Sequence, residues 1–75
     1  MIFLPTSLHG AYVIEPERLE DERGFFARTW CQREFQTHGI NMTIVQCSVS
    51  FNRKRGTLRG MHYQVALKAE AKLVR

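Results

Sequence analysis

Apolar and polar residues alternate along several short runs of this chain, which is the period expected of β-strands that bury one face. The clearest run spans Thr43 to Phe51. Its apolar positions share one face and its polar positions the other: Val45, Cys47, Val49 and Phe51 against Gln46, Ser48 and Ser50. This pattern predicts a half-buried strand.

The N-terminal part of the chain carries shorter runs of the same kind. Met1 to Gly10 is apolar and interrupted by proline, which predicts an arm or an edge strand. Ala11 to Glu15 predicts a strand that ends before a proline, and Arg23 to Trp30 predicts a turn or bulge at Gly24 followed by an aromatic strand. Between these runs, the acidic stretch from Glu17 to Glu22 predicts a solvated loop.

One short helix interrupts this β-type pattern. It is predicted from Cys31 to His38, with Phe35 facing inward and Gly39 ending it. Further on, Asn52 to Gly56 predicts a basic turn. The fold class predicted from these elements is all-β, with antiparallel sheets, hairpin connections and one short helix.

Two runs near the C-terminus organise the candidate chemistry. They are Arg55 to Gln64 and Glu70 to Arg75, and both predict strands. A hairpin with its turn centred near Leu67 places His62 opposite Lys72, with their Cβ atoms about 5 Å apart on one face. This register predicts a histidine and a lysine acting on one ligand.

The residue types in these runs indicate proton transfer on an anionic ligand. Arg59 offers a rigid fork of donors to a carboxylate or phosphate, and His62 exchanges protons near neutral pH. With Lys72 nearby, the set suggests proton abstraction next to a carbonyl of a phosphorylated compound. Arg59 and His62 are an odd number of residues apart, so a regular strand separates them onto opposite faces. A kink at Gly60, or contact from the strand's rim, resolves this conflict.

Each of these residues also has a purely structural interpretation. A histidine in a β run is often a hydrogen-bonded core residue, and Lys72 on an isolated strand is usually solvated. Arg23 and Arg59 are ordinary surface charges by themselves, and Gln46 and Ser48 also fit a hydrated sheet face.

Length and charge limit the possible functions. The chain has 75 residues, which is enough for one small domain, and a formal net charge of +4. This charge suits nucleic acid, a membrane surface or a small anion. Because the basic residues are scattered, we expect no nucleic-acid partner; the turn Arg53–Arg55 keeps a small basic binding domain open as an alternative.

The sequence also bears on the compartment. No apolar stretch reaches membrane-spanning length, and Met1 to Tyr12 lacks the pattern of a signal peptide. We therefore expect a cytoplasmic protein without a membrane partner. Cys31 and Cys47 have no metal-type spacing, and we expect free, largely buried thiols. The last residues, Leu73 to Arg75, lie inside a predicted strand, so we expect residues 1–75 to be the N-terminal fragment of one longer domain.

Four motifs, in this order and spacing, resemble the dTDP-4-dehydrorhamnose 3,5-epimerase family: Arg23-Gly24-Phe25-Phe26, Gln46 to Ser50, Gly56 to Gln64 and Glu70 to Arg75. The resemblance covers essentially the whole chain. It implies the N-terminal portion of a cupin-type jelly roll and a homodimer that exchanges its N-terminal strands. It also implies an isomerase that inverts C3 and C5 of dTDP-4-dehydro-6-deoxyglucose on the route to dTDP-L-rhamnose.

The same resemblance implies roles for six residues. The catalytic base is His62, and Lys72 binds the sugar and stabilises the enolate. The others bind substrate: Arg23 and Arg59 at the diphosphate, with Arg23 serving the partner's site, and Gln46 and Ser48 at the nucleotide or sugar. The proton-donating tyrosine and the aspartate that orients the histidine are expected beyond residue 75, so the fragment is expected to be inactive alone.

Three features qualify this resemblance. Arg28 and Ser48 stand where many members have glutamate and asparagine. Ser48 keeps hydrogen-bonding ability, whereas Arg28 reverses a charge, so no nucleotide role is assigned to Arg28. No cofactor is expected. Cupins that bind metal place a second histidine where this chain has Gln64, and an amide oxygen is a poor ligand for zinc or iron, so no metal is expected either. A non-catalytic nucleotide-sugar-binding module and a related epimerase or ketoisomerase remain as alternatives.

Overall fold

The computed structural model describes all of residues 1–75, which divide into two compact units, Met1–Thr43 and Ile44–Arg75. The first unit holds four antiparallel strands and one helix: β1 (Ile2–Pro5), β2 (Tyr12–Glu15), β3 (Arg18–Asp21), β4 (Gly24–Ala27) and α1 (Gln32–Thr37). The second unit holds one 3-10 turn, Ala66–Lys68. The all-β prediction with one short helix is therefore confirmed, and no helix has the length or the apolar content to cross a membrane.

The first hairpin joins β1 to β2, with Ile2 opposite Glu15 and Pro5 opposite Tyr12. Thr6 closes its loop, because its backbone N–H and its hydroxyl both donate to the Ala11 carbonyl, at 3.1 and 2.9 Å. The loop thereby satisfies backbone groups that the strands leave unpaired. These strands confirm the two predictions for the first fifteen residues.

The second hairpin joins β3 to β4 and corrects the prediction of a solvated loop from Glu17 to Glu22. The acidic residues there are exposed, but the backbone pairs with the aromatic strand, placing Leu19 opposite Phe26. The Arg18 guanidinium also lies 4.5 Å from the centre of the Phe25 ring, a favourable cation–π geometry. Cross-strand pairing with aromatic residues thus outweighs the low strand propensity of the acidic run.

The helix α1 ends as its sequence predicts. Gly39 has a φ of +75°, and its N–H donates to the Gln36 carbonyl at 2.9 Å. The N–H of Ile40 donates to the Phe35 carbonyl at 2.9 Å. These two bonds form a Schellman motif, in which the left-handed residue is usually glycine because a Cβ atom is disfavoured there.

Phe35 forms the centre of the first unit's core. Its side chain is 1% exposed and is the one fully buried apolar side chain of the chain. The Trp30 ring lies 4.2 Å from it between centroids, and the Phe3 ring 5.1 Å in an edge-on arrangement. Phe3 also stacks on His38 at 4.0 Å. Aromatic contacts therefore hold β1 against α1.

Ion pairs reinforce the same junction. The amino group of Met1 donates to Glu34 at 2.8 Å and to Glu17 at 3.0 Å. These bonds, Glu34 first, raise the pKa of the Met1 amino group. The ammonium group in turn lowers the pKa of Glu34, which also accepts a bond from Arg28 at 3.3 Å. Arg28 therefore has a structural partner within its own unit.

Replacing Phe35 with alanine should destabilise the first unit strongly. Removal of a buried phenylalanine side chain costs about 3–5 kcal/mol through lost burial and the cavity left behind. Urea unfolding, followed by the fluorescence of the adjacent Trp30, measures the loss in a longer chain that contains residues 1–75. The matched control is Leu8→Ala, at a position 70% exposed, which should stay within about 0.5 kcal/mol. A loss under about 1 kcal/mol for Phe35→Ala would contradict the proposed core.

The second unit, Ile44–Arg75, lacks the strands that the sequence predicts. No strand forms at Thr43–Phe51, around His62 or around Lys72, so the prediction of these strands was wrong for this chain. The apolar face of the first run stays in solvent, with Val45 85% and Val49 97% exposed. A strand with one apolar face needs a neighbouring strand and an opposing layer, and no segment of this chain supplies them.

Two local features of the second unit do match the predictions. A turn forms over the basic segment, where the Thr57 hydroxyl donates to the Lys54 carbonyl at 2.8 Å and Gly56 has a φ of +77°. The 3-10 turn Ala66–Lys68 is centred on Leu67, the predicted turn centre. Turns therefore form here although the strands on either side of them do not.

Candidate functional site

The predicted site residues are distributed over both units. Arg23 lies in the turn between β3 and β4 of the first unit. The other five lie in the second unit, on irregular and exposed backbone: Gln46, Ser48, Arg59, His62 and Lys72.

Arg59 is held by its own segment. Its Nε donates to the Asn52 side-chain oxygen, and its Nη2 donates to the Phe51 carbonyl at 2.9 Å. These two bonds close the chain around the basic turn and orient the guanidinium, which keeps further N–H donors for an anion. Asn52 was not among the predicted site residues, because an asparagine beside a basic turn is typical of turn sequences in general.

His62 lies two residues after Gly60, which has an unusual backbone conformation. Gly60 has a φ of +133°, a conformation that side chains other than glycine rarely adopt. An ideal Cβ atom placed there would lie 3.8 Å from His62 Nδ1. No strand forms on either side of Gly60, so the faces of Arg59 and His62 are not defined. His62 itself is exposed.

Lys72 is paired with a neighbour in sequence. Its Nζ lies 3.2 Å from Glu70 Oε1, and both side chains are about half exposed. The hairpin that would place Lys72 opposite His62 is not formed, because neither flanking strand is present. Glu70 is thus the charged partner of Lys72. The sequence alone does not distinguish Glu70 from an ordinary solvated carboxylate.

Arg23 has the most extensive contacts of the predicted site residues. Its Nη2 donates to Asp21 Oδ2 at 2.7 Å, its Nε to Asp21 Oδ1 at 3.4 Å, and its backbone N–H to the same Oδ1 at 2.8 Å. The Arg23 side chain remains 90% exposed. The guanidinium lowers the pKa of the Asp21 carboxyl, first through the side-chain bond and then through the backbone bond.

The remaining predictions concern exposed groups. Gln46 and Ser48 are exposed to solvent. This exposure fits both a ligand-lining face and a hydrated surface. Both cysteines are free as predicted, but Cys47 is exposed and Cys31 half-buried, so the expectation of largely buried thiols was wrong. No three His, Cys, Asp or Glu side chains are arranged to hold a metal ion.

The two antiparallel hairpins place this chain among all-β proteins. The amino-acid sequence of the chain identifies its family. The family model described as dTDP-4-dehydrorhamnose 3,5-epimerase matches residues 5–75, so the chain belongs to that family.

Individual relatives agree with this assignment. The chain is 47% identical over 73 residues to the dTDP-4-dehydrorhamnose 3,5-epimerase of Methanothermobacter thermautotrophicus, covering 97% of this chain and 38% of the relative. It is 38% identical over 76 residues to the Salmonella typhimurium enzyme of the same name, covering 100% and 41%. The Pseudomonas aeruginosa enzyme is 42% identical over 64 residues, covering 84% and 34%.

The chain thus spans about two fifths of the length of these curated relatives. No solved structure matches the chain at a significant level.

Proposed function

We propose that residues 1–75 supply the N-terminal part of a dTDP-4-dehydrorhamnose 3,5-epimerase, which inverts C3 and C5 of dTDP-4-dehydro-6-deoxyglucose. The family match over residues 5–75 carries the proposal, since it includes every predicted site residue. In this proposal the segment belongs to a single cupin-type jelly-roll domain that continues beyond residue 75. The complete enzyme is a cytoplasmic homodimer that exchanges N-terminal strands.

The chemistry needs a base and a stabilised enolate. The 4-keto group of the substrate acidifies the hydrogens on C3 and C5, and a positioned base removes each of them. His62 is the proposed base, since a neutral imidazole accepts a proton near pH 7. Lys72 then holds the negative charge that develops on the enolate oxygen.

Binding of the nucleotide part is assigned to four residues. Arg23 and Arg59 are the proposed diphosphate ligands, because a guanidinium presents paired donors to phosphate oxygens. The contacts of Arg59 with Asn52 and Phe51 support this role, since they orient its guanidinium in advance. Gln46 and Ser48 are the proposed hydrogen-bonding partners of the nucleotide or sugar.

The return of each proton to the opposite face needs a donor. By resemblance this donor is a tyrosine beyond residue 75, and an aspartate beyond residue 75 orients His62. Residues 1–75 therefore remove a proton in this scheme but do not complete the inversion. No metal and no cofactor is part of the proposed reaction, since proton transfer next to a ketone requires neither.

The test uses a full-length chain in which residues 1–75 of this sequence are joined to the remaining sequence of the Methanothermobacter thermautotrophicus relative. Incubation with dTDP-4-dehydro-6-deoxyglucose in D₂O should introduce deuterium at both C3 and C5. NMR measures the incorporation at each carbon. Deuterium at one carbon alone would instead indicate a single-position epimerase. Tight dTDP binding without any exchange would indicate a non-catalytic binding module.

A further inference from the structure

Asp21 makes three hydrogen bonds to one residue of the proposed site. Its Oδ1 accepts from the backbone N–H of Arg23 at 2.8 Å and from Nε at 3.4 Å, and its Oδ2 accepts from Nη2 at 2.7 Å. Asp21 itself is the last residue of β3 and pairs with Gly24 of β4. The hairpin therefore fixes the backbone of Asp21, and the bonds to Arg23 fix its carboxylate.

The geometry of this pair leaves a defined part of Arg23 available. A guanidinium carries five N–H donors in a planar fork. Asp21 occupies the edge formed by Nε and Nη2, so the edge formed by Nη1 and Nη2 faces away from the carboxylate. That second edge carries the paired donors that bind phosphate oxygens in a bidentate manner, and the side chain is 90% exposed.

Two opposite effects on anion binding follow from this arrangement. The negative charge of Asp21 reduces the attraction of Arg23 for a phosphate group. Against this, the long arginine side chain loses rotamer freedom when it binds a ligand, and a partner that fixes it beforehand removes part of that cost. The two effects predict opposite responses to removal of the carboxylate charge, so they are separable by experiment.

We propose that Asp21 is a positioning residue for substrate binding, which holds the Arg23 guanidinium with its Nη1–Nη2 edge directed at the diphosphate. The inference rests on the proposed function, specifically on Arg23 as a diphosphate ligand. It assigns a role to a carboxylate that neither contacts the phosphate nor takes part in proton transfer. The substrate group recognised in this way is a nucleoside diphosphate.

The main variant is Asp21→Asn. The asparagine oxygen still accepts a hydrogen bond from the backbone N–H of Arg23, so the turn is kept. The amide NH₂ group replaces Oδ2 and, being a donor, cannot accept the hydrogen bond from Nη2. The matched control is Glu22→Gln, which removes the same unit of charge from the same turn. Glu22 makes no hydrogen bond to Arg23 and pairs with no residue in the β3–β4 ladder.

The measurements are the dissociation constant of dTDP by calorimetry, and KM and kcat of the full-length chain defined above. Asp21→Asn should raise the dissociation constant and KM by about 3- to 10-fold and leave kcat within about twofold, since only orientation in the ground state is lost. Glu22→Gln should leave the dissociation constant and KM within about twofold of the unmodified values. In an Arg23→Ala background, Asp21→Asn should have no further effect.

Several results would overturn the inference. Tighter dTDP binding by Asp21→Asn would mean that the carboxylate acts as a competing anion. Equal effects of Asp21→Asn and Glu22→Gln would mean that charge alone matters. If Arg23→Ala leaves dTDP binding unchanged while C3 and C5 exchange continues, the enzyme assignment stands but Asp21 has no ligand residue to position. Failure of the function itself is distinguishable, since it removes exchange from the unmodified chain.

Discussion

Replacement of His62 by asparagine in the full-length chain should abolish exchange of the C3 and C5 hydrogens with solvent. Asparagine keeps the approximate size and polarity of the side chain but cannot accept a proton near neutral pH. General-base catalysis typically contributes about 10²–10⁴-fold, so we expect the exchange rate to fall at least about 100-fold. Deuterium incorporation in D₂O, measured at each carbon by NMR, provides the rate.

The chain offers a matched control for this substitution. His9 lies in the loop between β1 and β2, is exposed, and has no assigned role. His9→Asn should leave the exchange rate within about twofold. Binding of dTDP by His62→Asn should also persist, because the proposed diphosphate ligands are unchanged. Undiminished deuterium incorporation by His62→Asn would remove this residue from the mechanism.

The 75-residue chain by itself should not behave as a stable monomer. Its one fully buried apolar side chain is Phe35. Large apolar residues of both units are exposed, among them Phe26 at 70% and Leu58 at 87%. Domains near this size already bury only about 60% of their unfolded surface, and burial is the main favourable term in folding.

Three measurements test this prediction. Circular dichroism during urea titration should show a broad, non-cooperative change, and sedimentation should show association that grows with protein concentration. Assays with dTDP-4-dehydro-6-deoxyglucose should show no turnover. A cooperative unfolding transition independent of concentration, or measurable epimerase activity of this chain, would contradict the prediction. The full-length chain serves as the comparison under the same conditions.

The sequence predicted best those elements whose partners lie close by in the chain. The helix around Phe35 and its glycine-terminated end needed only local patterning and local hydrogen bonds. The hairpin β3–β4 was half missed, because an acidic run favours a loop until its aromatic partner strand is considered. The alternating run Thr43–Phe51 predicted a strand that this chain does not form. The pattern indicates which face would be buried, but a strand also needs a neighbouring strand and an opposing layer.

The site residues illustrate a similar limit. The motifs assigned roles to Arg23, Arg59 and Lys72, but none to the residues that contact them: Asp21, Asn52 and Glu70. Each contacting residue lies within seven positions of its partner. Acidic and amide side chains in turns are common for reasons of turn geometry alone, so sequence alone does not separate a contacting residue from a solvated one. Hydrogen-bond geometry makes that distinction.

The division of the chain at Thr43 has a consequence for synthesis on the ribosome. Hairpins form in about 1–10 μs, whereas chains grow at about 5–20 residues per second. The β1–β2 and β3–β4 hairpins can therefore form, and Phe3 of β1 can contact Phe35 of α1, while Ile44–Arg75 is still being made. The later segment then emerges with apolar side chains such as Val49 exposed to solvent. A defect at Phe35 should consequently reduce the yield of protein before it affects catalysis.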